Sequence, residues 1–336
     1  MKKYPIILLI LGVVFSACGS KRVAKGPSDI VYVVASDVAK EKVRSAIDTT
    51  FSFGIRTPQF EHYYMTSWQS FEQLHECLHF PHTILVVDMN VNDAASQMAK
   101  GLLNGERLQQ IEQDTVAIFA LPNVWQDIQV LIIAAGYDMD KLADYIVQRK
   151  GWIYSKVDQK YVERQSKFLF NQYEQKDLER KLGKRYGWTM RIPSDYQIVH
   201  EYPNRNFVWL GRALPYRWIS VSWAQGIRTE WLTANGLFLK RERIGRLYGQ
   251  IKTEKRFLGH RFTKLNGADA LKMWGLWYHE EQARGGPFTT YAFYDEPSNR
   301  TYVIDMLVYS PGEKTVNYLR QMEIMASTFH SVIQED

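Results

Sequence analysis

The chain has 336 residues, 46% of them apolar, with 42 Lys and Arg against 36 Asp and Glu, a mildly basic formal charge of +6. Only Cys18 and Cys77 are available as thiols, which excludes a disulfide framework and leaves the fold to an apolar core. This length builds such a core readily and usually divides it between two domains.

The first residues are MKKYPIILLILGVVFSACGSKR. Lys2 and Lys3 form a cationic start, Ile6 to Phe15 an apolar run, and Ser16-Ala17-Cys18 a small-small-cysteine end. Ten apolar residues of helix reach about 15 Å, half of a hydrocarbon core of about 30 Å. The segment therefore reads as a secretory signal peptide, 1–17, of the lipoprotein kind, cleaved before Cys18. The thiol of Cys18 would carry the diacylglycerol, and each buried methylene of it and of an added palmitate adds about 0.8 kcal/mol of anchoring. Cleavage removes Lys2 and Lys3 and lowers the side-chain charge to +4. Residues 18–28, rich in Gly, Ser, Lys and Pro, read as a tether.

From Asp29 the pattern alternates between strand and helix. DIVYVVAS is a buried strand, and residues 37–49 have helical spacing. A strand is expected across 59–66, a helix across 67–79, a strand in TILVVDM, and a helix across 92–113. Val116 to Leu121 and Ile128 to Ala134 give two more strands around the turn PNVWQD. From Asp138 helical spacing runs for nearly fifty residues with one break expected at Gly151-Trp152 and a stop at Gly187. The cations Lys176, Arg180, Lys181, Lys184 and Arg185 near its end suit a helix C-terminus. Beyond Trp188 come WTMRIPSDYQIV, FVWLGR and RWISVSWA as strands, a helix over 232–248, strands near 256–264 and 270–278, and the hairpin TTYAFYD/RTYVIDMLVYS. A helix from Thr315 to Val332 closes the chain.

One chemical motif stands out. His75-Glu76-x-x-His79 is the HExxH pattern in which two imidazoles hold zinc and the glutamate polarises a bound water. Pro81 ends the helix two residues after His79, and the positions where an extended zinc motif wants Gly and His hold His82 and Leu85. The stripe Trp68, Phe71, Leu74 and Leu78 leaves both histidines at the flank of the helix. No catalytic residue, cofactor or metal ligand is therefore assigned; Glu76 as catalyst with His75 and His79 on zinc is the alternative. Glu280 and Glu281 are adjacent, unlike paired catalytic carboxylates. Gly285-Gly286-Pro287 is no phosphate loop and reads as a turn. Seven of the ten tryptophans lie between Trp188 and Trp277, which suits a sheet core, or else rings for stacking sugars. Lys240-Arg241-Glu242-Arg243 reads as a solvated helix face, and export argues against a nucleic-acid partner.

WGLWYHEEQARGGPFTTYAFYD followed by VYSPGEKTVNYLRQMEIMASTF resembles a lipoprotein family of the Bacteroidetes, domain of unknown function 4837, with its GLW … GGPF and APG … YLRQLE segments. TILVVDMN and YGWTMRIPSDY also resemble its earlier landmarks, and Ser310 departs from the family's usual Ala. The resemblance implies an exported two-part lipoprotein and brings no catalytic residues. By fold analogy, the opening "IP…Y" and the final helix are similar to PsbP- and Mog1-like domains. The expectation is thus an α+β protein: an N-terminal α/β domain (29–150), a connecting helix (151–187) and a C-terminal antiparallel α+β domain with a closing helix (188–336). Its expected place is the cell envelope, lipid-anchored in the outer membrane and facing the periplasm, since no acidic run follows Cys18. The expected role is non-enzymatic binding of an envelope protein or glycan, with a zinc-dependent hydrolase or a peptidoglycan-binding module as alternatives.

Overall fold

The β-branched runs fold as strands where the sequence puts them. The computed structural model describes residues 21–170 and 173–333; the leader and Cys18 lie outside the described residues. The N-terminal half comprises β1 (Ile30–Val34), α1 (Asp37–Thr50), β2 (Gly54–Thr57), β3 (Gln59–His62), β4 (Met65–Gln69), α2 (Leu74–Cys77), β5 (His82–Asp88), α3 (Ala94–Leu102), α4 (Gly105–Asp114), β6 (Val116–Pro122) and β7 (Val130–Gly136). α5 (Met139–Leu169) and α6 (Lys176–Tyr186) connect it to the rest: β8 (Trp188–Thr189), β9 (Gln197–Tyr202), β10 (Phe207–Arg212), β11 (Tyr216–Gln225), α7 (Ala234–Leu247), β12 (Ile251–Leu265), β13 (Ala268–His279), β14 (Gly285–Asp295), β15 (Arg300–Tyr309), α8 (Val316–Ala326) and β16 (His330–Ser331).

The first sheet has the order β4-β1-β5-β7-β6, parallel except for β6 at its edge. Helices cover both faces, so β5 and β7 are buried almost end to end and read as unbroken apolar runs. The second sheet is antiparallel throughout, β12-β13-β14-β15-β11-β10-β9. The molecule is α+β, as expected.

One apolar cluster runs from the first sheet to the second. It joins Val33, Ile84 and Ile132 of the first sheet, Leu142, Ile153 and Val157 of α5, Leu319, Met322 and Met325 of α8, and Ile219, Ile304 and Met306 of the second sheet. The layer of α1, α5 and α8 therefore serves both sheets. α2, α3 and α4 cover the far side of the first sheet, and α7 that of the second.

Several boundaries differ from the sequence pattern, each for a local reason. The expected helix over 67–79 loses its first turns to β4, whose backbone pairs with β1 from Met65 to Gln69. Only a 3₁₀ turn at Phe71–Gln73 and the four-residue α2 remain. The strand over 59–66 is two strands. The helix over 92–113 is divided at Leu103, where the Asn104 side chain caps α4 by accepting the Arg107 N–H (3.1 Å). α5 runs straight through Gly151-Trp152, because burial of Leu142, Ile146, Ile153, Val157 and Tyr161 on one face outweighs about 1 kcal/mol for a helical glycine. The closing helix stops at Ala326, and the chain goes on to pair β16 with β8. Gly285 and Gly286 are not a turn but part of β14; a Cβ on Gly286 would lie 2.1 Å from the Val308 carbonyl oxygen.

The described part of the tether is docked. Ala24 N–H donates to Asp127 O (2.9 Å), Lys25 N–H to His79 O (2.8 Å) and Arg164 Nη2 to Gly26 O (3.0 Å). Composition signalled a flexible linker, but these backbone groups find fixed partners.

Candidate functional site

The HExxH residues lie on α2 and the loop that follows it. His75 is largely exposed on α2, its Nδ1 donating to Glu72 O (3.0 Å). His79 falls beyond the last helical residue and its Nδ1 accepts from Gln126 Nε2 (3.1 Å). Glu76 lies beside His75 and points to solvent with it. His82 opens β5 and is fully buried on the far side of that loop. Among the described residues no three His, Cys, Asp or Glu side chains come together as a metal would require.

A large cleft lies elsewhere, where α5 and the β2–β3 hairpin meet α8, β12 and β13. It encloses about 910 Å³. Its floor is the Arg320 guanidinium, buried and centred 3.4 Å over the Tyr161 ring. Arg320 Nη2 pairs with Asp158 and donates to Tyr64 Oη (2.8 Å), while Tyr64 Oη donates to Asp158 Oδ1 (2.8 Å). One wall pairs Lys272 with Glu323 (2.6 Å). Phe53, Phe60, Tyr63 and Tyr154 give the cleft an aromatic lining.

The charges do not balance. Asp158 and Glu323 neutralise Arg320 and Lys272, but Lys150 and Arg261, both exposed at the rim, have no ion-pair partner among the described residues. Burial raises the phenol pKa values of Tyr63, Tyr64 and Tyr154, and that of Tyr161 to about 12, so these rings remain neutral. The Ser52 and Ser327 hydroxyls donate to Thr49 O and Ile324 O, and Thr50 to Ala46 O, so none is held by a base. The arrangement can hold an anion beside apolar surface.

A second buried network was not anticipated. Arg241, expected in solvent, lies inside with Asp305: Nε is 3.3 Å from Oδ1, Nη1 donates to Thr253 Oγ1 (2.5 Å), and the guanidinium sits 3.5 Å above the Phe288 ring. Thr290 Oγ1 donates to Asp305. The sequence held two signals. Arg241 shares the apolar stripe Leu237, Ile244 and Tyr248 at helical spacing, and Asp305 interrupts the apolar strand YVIDMLVY. Trp209 and Trp223 are sheet core, as expected, on opposite faces.

Fold and cleft together define a two-sheet α+β protein with a cationic, aromatic-walled groove between its sheets. Residues 174–328 match the family described as Domain of unknown function (DUF4837). No curated protein matches. Among solved structures, a Bacteroides thetaiotaomicron protein is 10% identical over 45% of this chain and 47% of its own, with a TM-score of 0.28. The Saccharomyces cerevisiae Ran-binding protein Mog1p is 13% identical over 44% of this chain and 90% of its own (TM-score 0.31). Mycobacterium tuberculosis LpqN, involved in cell envelope biogenesis, is 11% identical over 48% of this chain and 99% of its own (TM-score 0.29). At these TM-scores the likenesses carry no argument about activity or partners.

Proposed function

We propose that the chain is a lipid-anchored protein of the cell envelope that binds, without chemistry, an anionic ligand with an apolar body in the cleft between its two sheets. The observation that carries the binding reading is the uncompensated pair Lys150 and Arg261 at the rim of a ligand-sized, aromatic-walled groove. The leader ending in Ser16-Ala17 just before Cys18 supports the anchor, and the lack of an acidic run after Cys18 supports the outer membrane, facing the periplasm.

Two measurements test the two halves separately. Mass spectrometry of the native N-terminal peptide should find Cys18 as first residue with acyl mass attached; an intact leader or a bare thiol refutes the anchor. For the cleft, decyl phosphate and decanoate should bind the purified protein with saturation, and uncharged octyl glucoside much more weakly. Lys150→Ala with Arg261→Ala should cost about tenfold in affinity or more, since each charge-assisted contact contributes about 1 kcal/mol. Equal binding of charged and uncharged probes refutes the reading.

A further inference from the structure

The second sheet has a further cavity, on the face opposite the cleft. α7 covers that face only as far as Tyr248, and Gly249, at φ +96°, turns the chain away. Beyond the helix end, Tyr216 of β11 is exposed and Trp218 of β11 and Tyr309 of β15 are half-buried, beside the buried Trp277 of β13. They surround a cup of about 230 Å³, floored by Tyr248 and Ile251 and edged by His279 and Arg284.

The cup is rigid. Trp277 Nε1 donates to Val308 O (3.1 Å), and Tyr248 Oη to Ser220 Oγ (2.5 Å). Trp218 packs edge-on against Trp209 at 4.9 Å and lies nearly parallel to Trp277 at 6.5 Å. Its rim, in contrast, is polar and unengaged. Among the described residues the Tyr216 and Tyr309 hydroxyls make no hydrogen bond, and the Arg284 guanidinium has neither hydrogen bond nor ion pair. The Glu281 backbone N–H donates to His279 Nδ1 (3.1 Å). An amide can only donate, so Nδ1 carries a lone pair and the neutral ring holds its proton on Nε2, free to donate outward. Of the neighbouring carboxylates, Glu280 faces Lys252 at 3.9 Å and Glu281 is exposed without an ion pair.

We propose that this cup is a binding site for one carboxylated sugar ring. Aromatic faces alone would accept any flat apolar group. Four hydrogen-bonding groups around them select a polyhydroxylated ring, whose C–H face lies on the rings while its hydroxyls meet the rim. The volume admits one such ring and falls below the roughly 300 Å³ at which pockets for drug-sized ligands begin. Arg284, the one cation among the described residues that line the cup, pairs with the carboxylate as a planar fork.

The test is saturation-transfer NMR on the full protein with glucuronic acid, N-acetylmuramic acid and N-acetylglucosamine. The two acidic sugars should bind about fivefold more tightly than the neutral one, the worth of one exposed charge-assisted contact. Arg284→Ala should abolish that preference, lowering affinity for the acidic sugars about fivefold more than for the neutral one. Tyr216→Ala removes an exposed ring of the cup, and should weaken all three sugars by about tenfold. Absence of saturation transfer from any sugar overturns the site. Equal affinity for acidic and neutral sugars, unchanged in Arg284→Ala, overturns the assigned role of the guanidinium and with it the carboxylated ligand.

Discussion

Asp305→Ala isolates the energetics of the buried ion pair. Asp305 is fully buried and Arg241 is 1% exposed, so no water can take over the lost contact. The pair itself contributes little net stability, because desolvation of two ions offsets most of their attraction. Removing one partner is different. The guanidinium above Phe288 would keep only Thr253 as acceptor, and an uncompensated buried charge costs about 3–5 kcal/mol. At about 2 °C per kcal/mol for a chain of this size, thermal unfolding followed by circular dichroism should move down by about 6–10 °C. Arg241→Met combined with Asp305→Leu leaves no charge behind and should recover most of that loss. A single variant within about 1 kcal/mol of wild type, or a double variant as damaged as the single, would refute the reasoning.

Burial holds the His82 pKa down to about 3, against an ordinary value of 6.5. Between those values the unfolded chain takes up a proton that the folded one refuses, so stability falls as pH falls, by up to about 1.4 kcal/mol per pH unit. Urea midpoints at pH 7, 5.5 and 4.5 should show that slope in wild type and a shallower one in His82→Leu; parallel slopes contradict it. Glu61 of β3 accepts from the Thr315 (2.9 Å) and Val316 (2.8 Å) N–H groups at the start of α8, so Glu61→Ala should cost about 1–2 kcal/mol in urea unfolding, and no change would mean the cap is idle. Gly286→Ala forces a methyl against Val308 O at 2.1 Å and should destabilise by about 2 kcal/mol or more; a neutral result would show that β14 shifts freely.

Legibility in the sequence followed the range of the determining contacts. IVYVV, TILVVD and VLIIAAG declare buried parallel strands on their own, since both faces of each are apolar. The segment 65–79 misleads because Trp68, Phe71, Leu74 and Leu78 have helical spacing, whereas the pairing of Met65–Gln69 with β1 is a non-local bond that no window reveals. Arg241 was readable, since its neighbours at i−4, i+3 and i+7 are apolar; the charged residues beside it in sequence obscured the stripe. The cleft was not readable. Tyr63, Asp158, Arg261 and Arg320 come from four distant segments, and only the shared helical layer brings them together.

That layer bears on how the protein can be divided. Excision at residues 174 and 328, the limits of the family match, strips α8 of the α5 side chains that cover Leu319 and Met322 and of the Glu61 carboxylate that caps it. It also discards Phe329 and the β16 residues that pair with β8. The piece would emerge with a raw apolar flank, prone to self-association, and would report on its own exposure rather than on the intact chain. Biochemistry on this protein therefore belongs on the intact chain, in which both sheets share one interior.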